Sequence, residues 1–356
     1  MGHRGVSVAS DRGFIVMRAI DWRDDGAVVI VDQTRLPDRT TFLVLREPLQ
    51  LVAEIKRLAV RGAMALGVAG AMGVALGAVR AKERGQDVLT RAGEAAELLA
   101  TARPTATNLA WGANRALAAA HAGAAAVVAV ALEIRDEDVE ANRAIGNRGA
   151  DLLQGARRIL THCNAGALAA VEIGTALGVI VELHRREPLL TAYATETRPL
   201  LQGARLTTWE LGRAGIPHCL VVDGAAAGLI LAGEVDAVVV GADRIAANGD
   251  SANKVGTVAH ALAAAHAGIP FVVAAPEATF SPGTATSADI PIEQRDEAEV
   301  LGFGSHRIAP PGTKARNPAF DVTPAELITA IVTERRTVWL GRATTGARPV
   351  TRVRPA

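Results

Sequence analysis

Arg158-Ile159-Leu160-Thr161-His162-Cys163-Asn164-Ala165-Gly166 marks a change of rhythm in the chain. A short run that suits a buried strand passes into a polar turn and then glycine. The same pattern returns downstream. Strand candidates at Ala192 to Thr195, His218 to Val222, Ala237 to Val240 and Phe271 to Ala274 follow the first, Arg158 to His162, with stretches of helical length between them. That alternation predicts βαβ units, and hence an α/β fold with a doubly wound, Rossmann-like parallel sheet. In such a sheet ligands sit beyond the carboxyl ends of the strands. The first four strands deliver Cys163, Glu196 to Arg198, Asp223, and Asp243-Arg244 to that rim. A thiol, carboxylates and guanidiniums are therefore expected together.

Upstream the pattern differs. Ala27 to Val31 and Thr41 to Leu45 are short strand candidates around a turn at Leu36-Pro37. From Leu49 to about Gly155 the chain is rich in Ala and Leu at helical spacing, with breaks near Gly85, at Ala102-Arg103-Pro104 and near Gly123. The expected division is a mostly helical domain with a short β element over residues 1–150 and a Rossmann-like domain over 151–340. An Arg- and Pro-rich tail, 341–356, is expected to be disordered. Thr323-Pro324-Ala325-Glu326 has the Thr and Glu of a capping box with Pro between them, which predicts a final helix. Gly62 to Val79 is uncharged and long enough to be screened as a membrane span, but its five Gly and six Ala make transfer into lipid poor. A buried helix of a soluble domain is expected there.

The chain has 356 residues, with 38 Lys plus Arg against 37 Asp plus Glu, a net charge of +1. That balance gives no reason to expect nucleic acid or a membrane surface as a partner. Of the 38 basic residues only Lys56, Lys82, Lys254 and Lys314 are lysine, so a lysine inside a motif carries weight. Cys163 and Cys219 are too few for a disulfide framework and lack the spacing of a zinc site. The first residues carry Arg4, Asp11, Arg12 and Arg18 and no apolar core of a signal peptide, so a reducing, cytoplasmic setting is expected.

Three segments can carry chemistry. Cys163 stands at a strand end, and a helix just after it would favour a thiolate. His162, its neighbour on a strand, should point to the opposite face and be structural. Glu196-Thr197-Arg198-Pro199, continuing to Gln202 and Thr207, fits either a ligand contact or a helix start with an ion pair. Gly241 to Thr257 places Asp243 at a strand end, then a Gly/Asn loop, then Lys254 at the expected start of a helix, a plausible anion site. No dinucleotide glycine fingerprint, P-loop or H-E-x-x-H pattern is present, which disfavours a nucleotide cofactor and a catalytic metal. Gly67, Gly70 and Gly73 have the spacing of close helix packing rather than of a phosphate cradle.

Together these segments resemble the methylthioribose-1-phosphate isomerase family, which also contains regulatory subunits of the eukaryotic translation-initiation exchange factor. The matching stretches are Leu36-Pro37, Arg61-Gly62-Ala63, Ala102 to Thr105 with Asn108-Leu109, Thr161 to Gly166, Glu196 to Thr207, Gly241 to Thr257, Ala274 to Pro276, and Ile290 to Glu293. The resemblance implies an aldose-ketose isomerase of methionine salvage that acts on a sugar 1-phosphate without a cofactor, as a homodimer. It places the proton donor on Asp243 and a second catalytic residue on Cys163. Substrate binding falls on Arg61, Gly62, Ala63, Arg103, Gln202, Asn253 and Lys254. Proton donation by Asp243 would require a pKa raised by burial. Met64 stands where family members commonly carry Pro after the Arg-Gly-Ala segment, which bears on the 5-position of the sugar. Related isomerases of 5-deoxyribose 1-phosphate or ribose 1,5-bisphosphate share much of this pattern. A non-catalytic regulatory subunit is the alternative from another class, and the Cys163 and Asp243 pair argues against it. A dinucleotide-dependent dehydrogenase fits the fold class but lacks the glycine fingerprint.

Overall fold

The computed structural model describes residues 7–9, 15–103, 106–304 and 306–340. It divides into two compact units that interleave along the chain: one ends at Asn142 and regains Ala165–Gly174, and the other comprises Arg143–Asn164 and everything from Thr175. The expected tail, 341–356, lies outside the described residues.

The first unit carries an antiparallel meander of Ile20–Trp22, Val28–Val31 and Phe42–Leu45, with Ile20 opposite Ile30 and Val29 opposite Val44. Helices Pro48–Lys56, Ala63–Glu83, Val88–Ala102 and Thr107–Leu117 follow. After Gly62 the uncharged run lies within Ala63–Glu83, a helix long and apolar enough to cross a membrane, most of which is buried inside the protein. Its buried face goes round the helix, as it does for the central helix of a core. The glycines explain how such a helix is surrounded. A Cβ at Gly70 would lie 2.2 Å from the carbonyl oxygen of Leu109, and one at Gly112 would lie 1.9 Å from that of Gly67. Backbone touches backbone at both points, so no larger residue fits.

The segment Ala165–Gly174 completes this unit. Ala19 N–H donates to Val171 O at 2.8 Å, and Arg18 pairs with Glu172. Gly166 and Gly174 bridge each other at the base of the segment, where a Cβ on Gly174 would fall 2.3 Å from the Gly166 backbone.

The second unit is built on one sheet whose strands, numbered along the chain, are β1 Arg158–Thr161, β2 Thr191–Thr195, β3 His218–Val221, β4 Ala237–Val240, β5 Phe271–Ala274, β6 Ala330–Val332 and β7 Thr337–Trp339. Their spatial order is β3-β2-β1-β4-β5-β6-β7, parallel except for β7. Apart from that last strand, this is the doubly wound order whose reversal lies between β1 and β4. β4, β5 and β6 are buried throughout, as strands covered on both faces must be. A second sheet aligns Phe280–Ser281, Arg244–Ala246, Ser251–Lys254 and Phe320–Thr323 in that order.

The helix expected to start at Thr323-Pro324 does not form. Thr323 ends a strand paired to Ser251, a single 3-10 turn covers Ala325–Leu327, and Ile328 to Val332 runs into the main sheet as β6. Thr323 Oγ1 has no hydrogen-bond partner among the described residues, so it caps nothing there, and the Ala325 N–H is taken by Asp250. The β-branched Ile328-Thr329-Ala330-Ile331-Val332 finds a partner in β5, and that pairing overrides the local cap signal.

Candidate active site

The order reversal makes a crevice beyond the carboxyl ends of β1 and β4, and Cys163 follows β1 as Asp243 follows β4. The two strands are directly paired, Leu160 with Val238. Sheet order thus brings the two residues that sequence singled out to neighbouring strand ends. Glu196 to Arg198 and Asp223 follow β2 and β3 on the same rim.

Cys163 is half-buried and holds a φ of 63°, a left-handed conformation that L-residues avoid. Its main chain is gripped at both ends: its N–H donates to Thr197 Oγ1 at 3.0 Å, and its carbonyl accepts from Thr207 Oγ1 at 2.6 Å. Thr197 is itself left-handed, with φ 66°. The Asp223 carboxylate holds it there by accepting from the N–H groups of Thr197 and Arg198, both at 2.7 Å. Strain of this kind, about 1–3 kcal/mol per residue, persists only where the surroundings over-determine it, and it clusters at functional sites.

After the Pro199 turn the chain makes a π turn, Gly203–Thr207, before the helix Thr208–Arg213. Gly203 permits this, since a Cβ there would lie 1.7 Å from the carbonyl oxygen of Thr195. Gln202, just before the turn, is buried, and its Oε1 finds no hydrogen-bond partner among the described residues. An orphaned buried acceptor on this rim is what a ligand donor would satisfy.

Several expectations need correcting. No helix starts at Cys163: the next α-helix is Ala176–Arg186, because the chain first leaves for the other unit through Ala165–Gly174. A helix dipole therefore does not act on the thiol. Lys254 is not at a helix start but at the end of a strand, buried, with Nζ donating to Ala319 O at 2.8 Å and lying 4.8 Å from the Phe320 ring centroid. Asn253, its neighbour on that strand, points to the opposite face, and its Nδ2 donates to Thr257 Oγ1. The N-terminus of the helix Thr257–Ala267 is no open anion site either. The Asp321 carboxylate already accepts the Gly256 N–H at 2.7 Å there, and burial pushes this carboxyl up to about 6. Asp243 is exposed in the free protein, not buried as expected of the proton donor. Arg198 is structural: its guanidinium donates to the carbonyls of Glu299, Val300 and Gly302 and lies 5.4 Å from the Phe303 ring centroid.

Arg61, Gly62, Ala63 and Arg103 belong to the first unit. Gly62 caps the helix Ala63–Glu83 with φ 97°, and a Cβ on it would meet the Ala169 carbonyl at 2.3 Å. Both facts require glycine. Arg61 Nε donates to Oε1 of the buried Gln33 at 3.1 Å, and Gln33 Nε2 donates to Leu168 O at 2.7 Å. Arg103 is the C-terminal cap of Val88–Ala102.

Sequence reasoning passed over Gln33, Thr195, Thr197 and Thr207 as individual residues, and the buried His260 entirely. Each acts through a hydroxyl, amide or ring that touches a distant segment, and no local pattern announces that.

A doubly wound α/β protein with a thiol and a carboxylate beside its switch point is the class that fold and rim define. Residues 59–337 match the initiation factor 2 subunit family, and the chain belongs to it. The chain is 51% identical over 348 residues to a probable bifunctional methylthioribose-1-phosphate isomerase/methylthioribulose-1-phosphate dehydratase of Nocardia farcinica, covering 95% of the chain but only 62% of that longer relative. A methylthioribose-1-phosphate isomerase of Anaeromyxobacter is 53% identical, with 87% of this chain and 90% of the relative covered. A 5-deoxyribose 1-phosphate isomerase of Moorella thermoacetica is 49% identical, with 89% and 92% covered. Among solved structures, a 5-methylthioribose 1-phosphate isomerase of Pyrococcus horikoshii superposes with a TM-score of 0.84 at 40% identity, covering 90% of this chain and 92% of the other.

Proposed function

We propose that this protein is an aldose-ketose isomerase that converts S-methyl-5-thioribose 1-phosphate to S-methyl-5-thioribulose 1-phosphate, a step of methionine salvage. The observation that carries the reading is the pair Cys163 and Asp243 at the paired strand ends β1 and β4. A subunit that only binds needs neither a strained thiol nor a carboxylate there.

The chemistry calls for both groups. A sugar phosphorylated at its anomeric carbon cannot open to a free aldehyde. In this reading Asp243 enters protonated and donates to the ring oxygen as the bond from that oxygen to C1 breaks. Its exposure in the free protein means that bound substrate must supply the desolvation that favours the protonated form. Hydrogen then moves from C2 to C1. Either Cys163 takes the C2 proton and returns one to C1 through an enolate-type intermediate, or hydride passes directly from C2 to C1 while the C2 hydroxyl loses its proton. Deuterium at C2 that washes into solvent during turnover excludes the direct shift.

Substrate binding falls in the same reading to Arg61, Gly62, Ala63, Arg103, Gln202, Asn253 and Lys254, with the arginines suited to a phosphate. The orphaned Oε1 of Gln202 supports its place in that set. A 5-deoxy substrate is the second reading, favoured by the Moorella relative. We also propose a cytoplasmic homodimer. Cys219, Leu220 and Val222 are exposed on and beside the edge strand β3, where a second copy could cover them. Sedimentation as a monomer would contradict that.

The deciding experiment follows ketose phosphate by NMR with methylthioribose 1-phosphate, 5-deoxyribose 1-phosphate and ribose 1,5-bisphosphate. Wild type is expected to turn over the first, and Cys163→Ala and Asp243→Asn each to lose about 10²–10⁴-fold in kcat. No product from any substrate with folded wild type refutes the isomerase.

A further inference from the structure

Next to Cys163, just past the end of β1, lies a set of buried polar groups. His162 is 1% exposed. Its Nε2 is 2.9 Å from the carbonyl oxygen of Val255, which can only accept, so Nε2 carries the hydrogen and Nδ1 the lone pair. Thr195 Oγ1, 2.6 Å from Nδ1, must then be the donor. The Thr197 hydroxyl donates to Thr195 O at 3.1 Å, and its oxygen accepts the Cys163 N–H at 3.0 Å. The buried His260 also meets this set, its Nε2 3.3 Å from His162 Nδ1, so the Thr195 hydroxyl at 2.6 Å is the closer of two partners on that nitrogen. Burial lowers the His162 pKa to about 4, so the ring stays neutral where the enzyme works.

The far end is equally fixed. The peptide between Val255 and Gly256 accepts from His162 through its carbonyl and donates to Asp321 through its N–H. Gly256 has φ 106°, and a Cβ on it would lie 3.1 and 3.2 Å from the imidazole, so only glycine lets the peptide meet the ring.

We propose that His162 is a positioning residue for Cys163, acting through the hydroxyls of Thr195 and Thr197 to hold the thiol on its left-handed backbone. The proposal rests on the isomerase reading above. Thr195 is the link, since its hydroxyl is held by Nδ1 while its carbonyl accepts from Thr197 Oγ1, so losing either the Nδ1 acceptor or the Thr195 hydroxyl releases the residue that positions the anchor of the Cys163 amide. The anchor moves, and the thiol with it. Misplacement by about 1 Å can lower a rate about 100-fold.

The test uses the full chain carrying Cys219→Ser, which leaves Cys163 as its one thiol. Thr195→Val and His162→Gln are compared with Thr195→Ser, which keeps the hydroxyl. Three quantities are read: kcat and KM, the pH profile of Cys163 alkylation by iodoacetamide, and the melting temperature. We expect kcat to fall about 10- to 100-fold in Thr195→Val and His162→Gln with KM within about 2-fold, an altered alkylation profile in both, and recovery in Thr195→Ser. Unchanged kcat and alkylation in the folded variants overturn the proposal. So does a loss that merely tracks the unfolded fraction. Should His162→Gln not fold, the Val and Ser pair at Thr195 decides alone. Alkylation needs no substrate, so it still reads the positioning if wild type turns nothing over, an outcome that removes the isomerase reading instead.

Discussion

The two units treat backbone crowding in opposite ways. In the first, the helices Ala63–Glu83 and Thr107–Leu117 touch through glycines, and the missing side chains are what let them pack. In the second, Cys163 and Thr197 keep their side chains on a backbone that glycine would occupy with less strain. The first arrangement lowers energy and carries no chemistry. The second raises energy locally and is held by Asp223, Thr197 and Thr207. Substitutions in the two units should therefore separate stability from activity.

The largest effect on stability is expected from Gly70→Val, whose Cβ would collide with the Leu109 carbonyl. Urea unfolding should show a loss of about 3 kcal/mol, while the folded fraction keeps its kcat. A fall in kcat of the folded fraction would break the contrast.

Acid titration comes next and sets the units against each other. In the second, burial lowers His162 to about 4 and His260 to about 3, below the unfolded value near 6.5. Their neutral forms stabilise the fold above pH about 6.5, and that contribution is lost as pH falls through the folded pKa values. In the first unit, burial raises Asp138 to about 7 from 3.8, which runs the other way: its contribution is full below about 3.8 and is lost as pH rises through about 7. Calorimetry from pH 8 to 4 should show a shallower acid loss for His260→Gln and a steeper one for Asp138→Asn.

A smaller effect tests the strain itself. Cys163→Gly should unfold later than Cys163→Ala by about 1 kcal/mol, since glycine takes a positive φ without penalty. Both should show the same loss of about 10²–10⁴-fold in kcat. The smallest effect belongs to Thr323→Ala: with no partner for Oγ1 among the described residues, the change should stay within about 0.5 kcal/mol, where loss of a true helix cap removes about 1 kcal/mol.

The sheet was legible where strands were apolar runs between helices, and β1 to β5 were all read to within a residue or so. β6 and β7 were hidden, because Thr323 to Glu326 imitates a helix start and only the neighbouring β5 decides otherwise. The rim was legible as residue types, since strand ends collect what chemistry needs. Its geometry was not. Arg198 and Asp223 look like ligands in sequence, and the structure employs them on backbone groups. Lys254 looked like a helix-start cation because the pairing of Ser251–Lys254 with Phe320–Thr323 links residues far apart in the chain. The Thr195, Thr197 and His162 set was invisible for the same reason.

The bridge between Gly166 and Gly174 has a consequence for how the protein can be made or cut. The first unit lacks its last piece until Gly174 has been synthesised, after β1 has already emerged. A fragment ending at residue 150 would leave the Ala19 N–H without the Val171 carbonyl and Gln33 Nε2 without Leu168 O. The amino-terminal half is therefore not a module that evolution or a cloning scheme can detach at the end of its helices. Its folding waits on ten residues delivered from beyond Cys163.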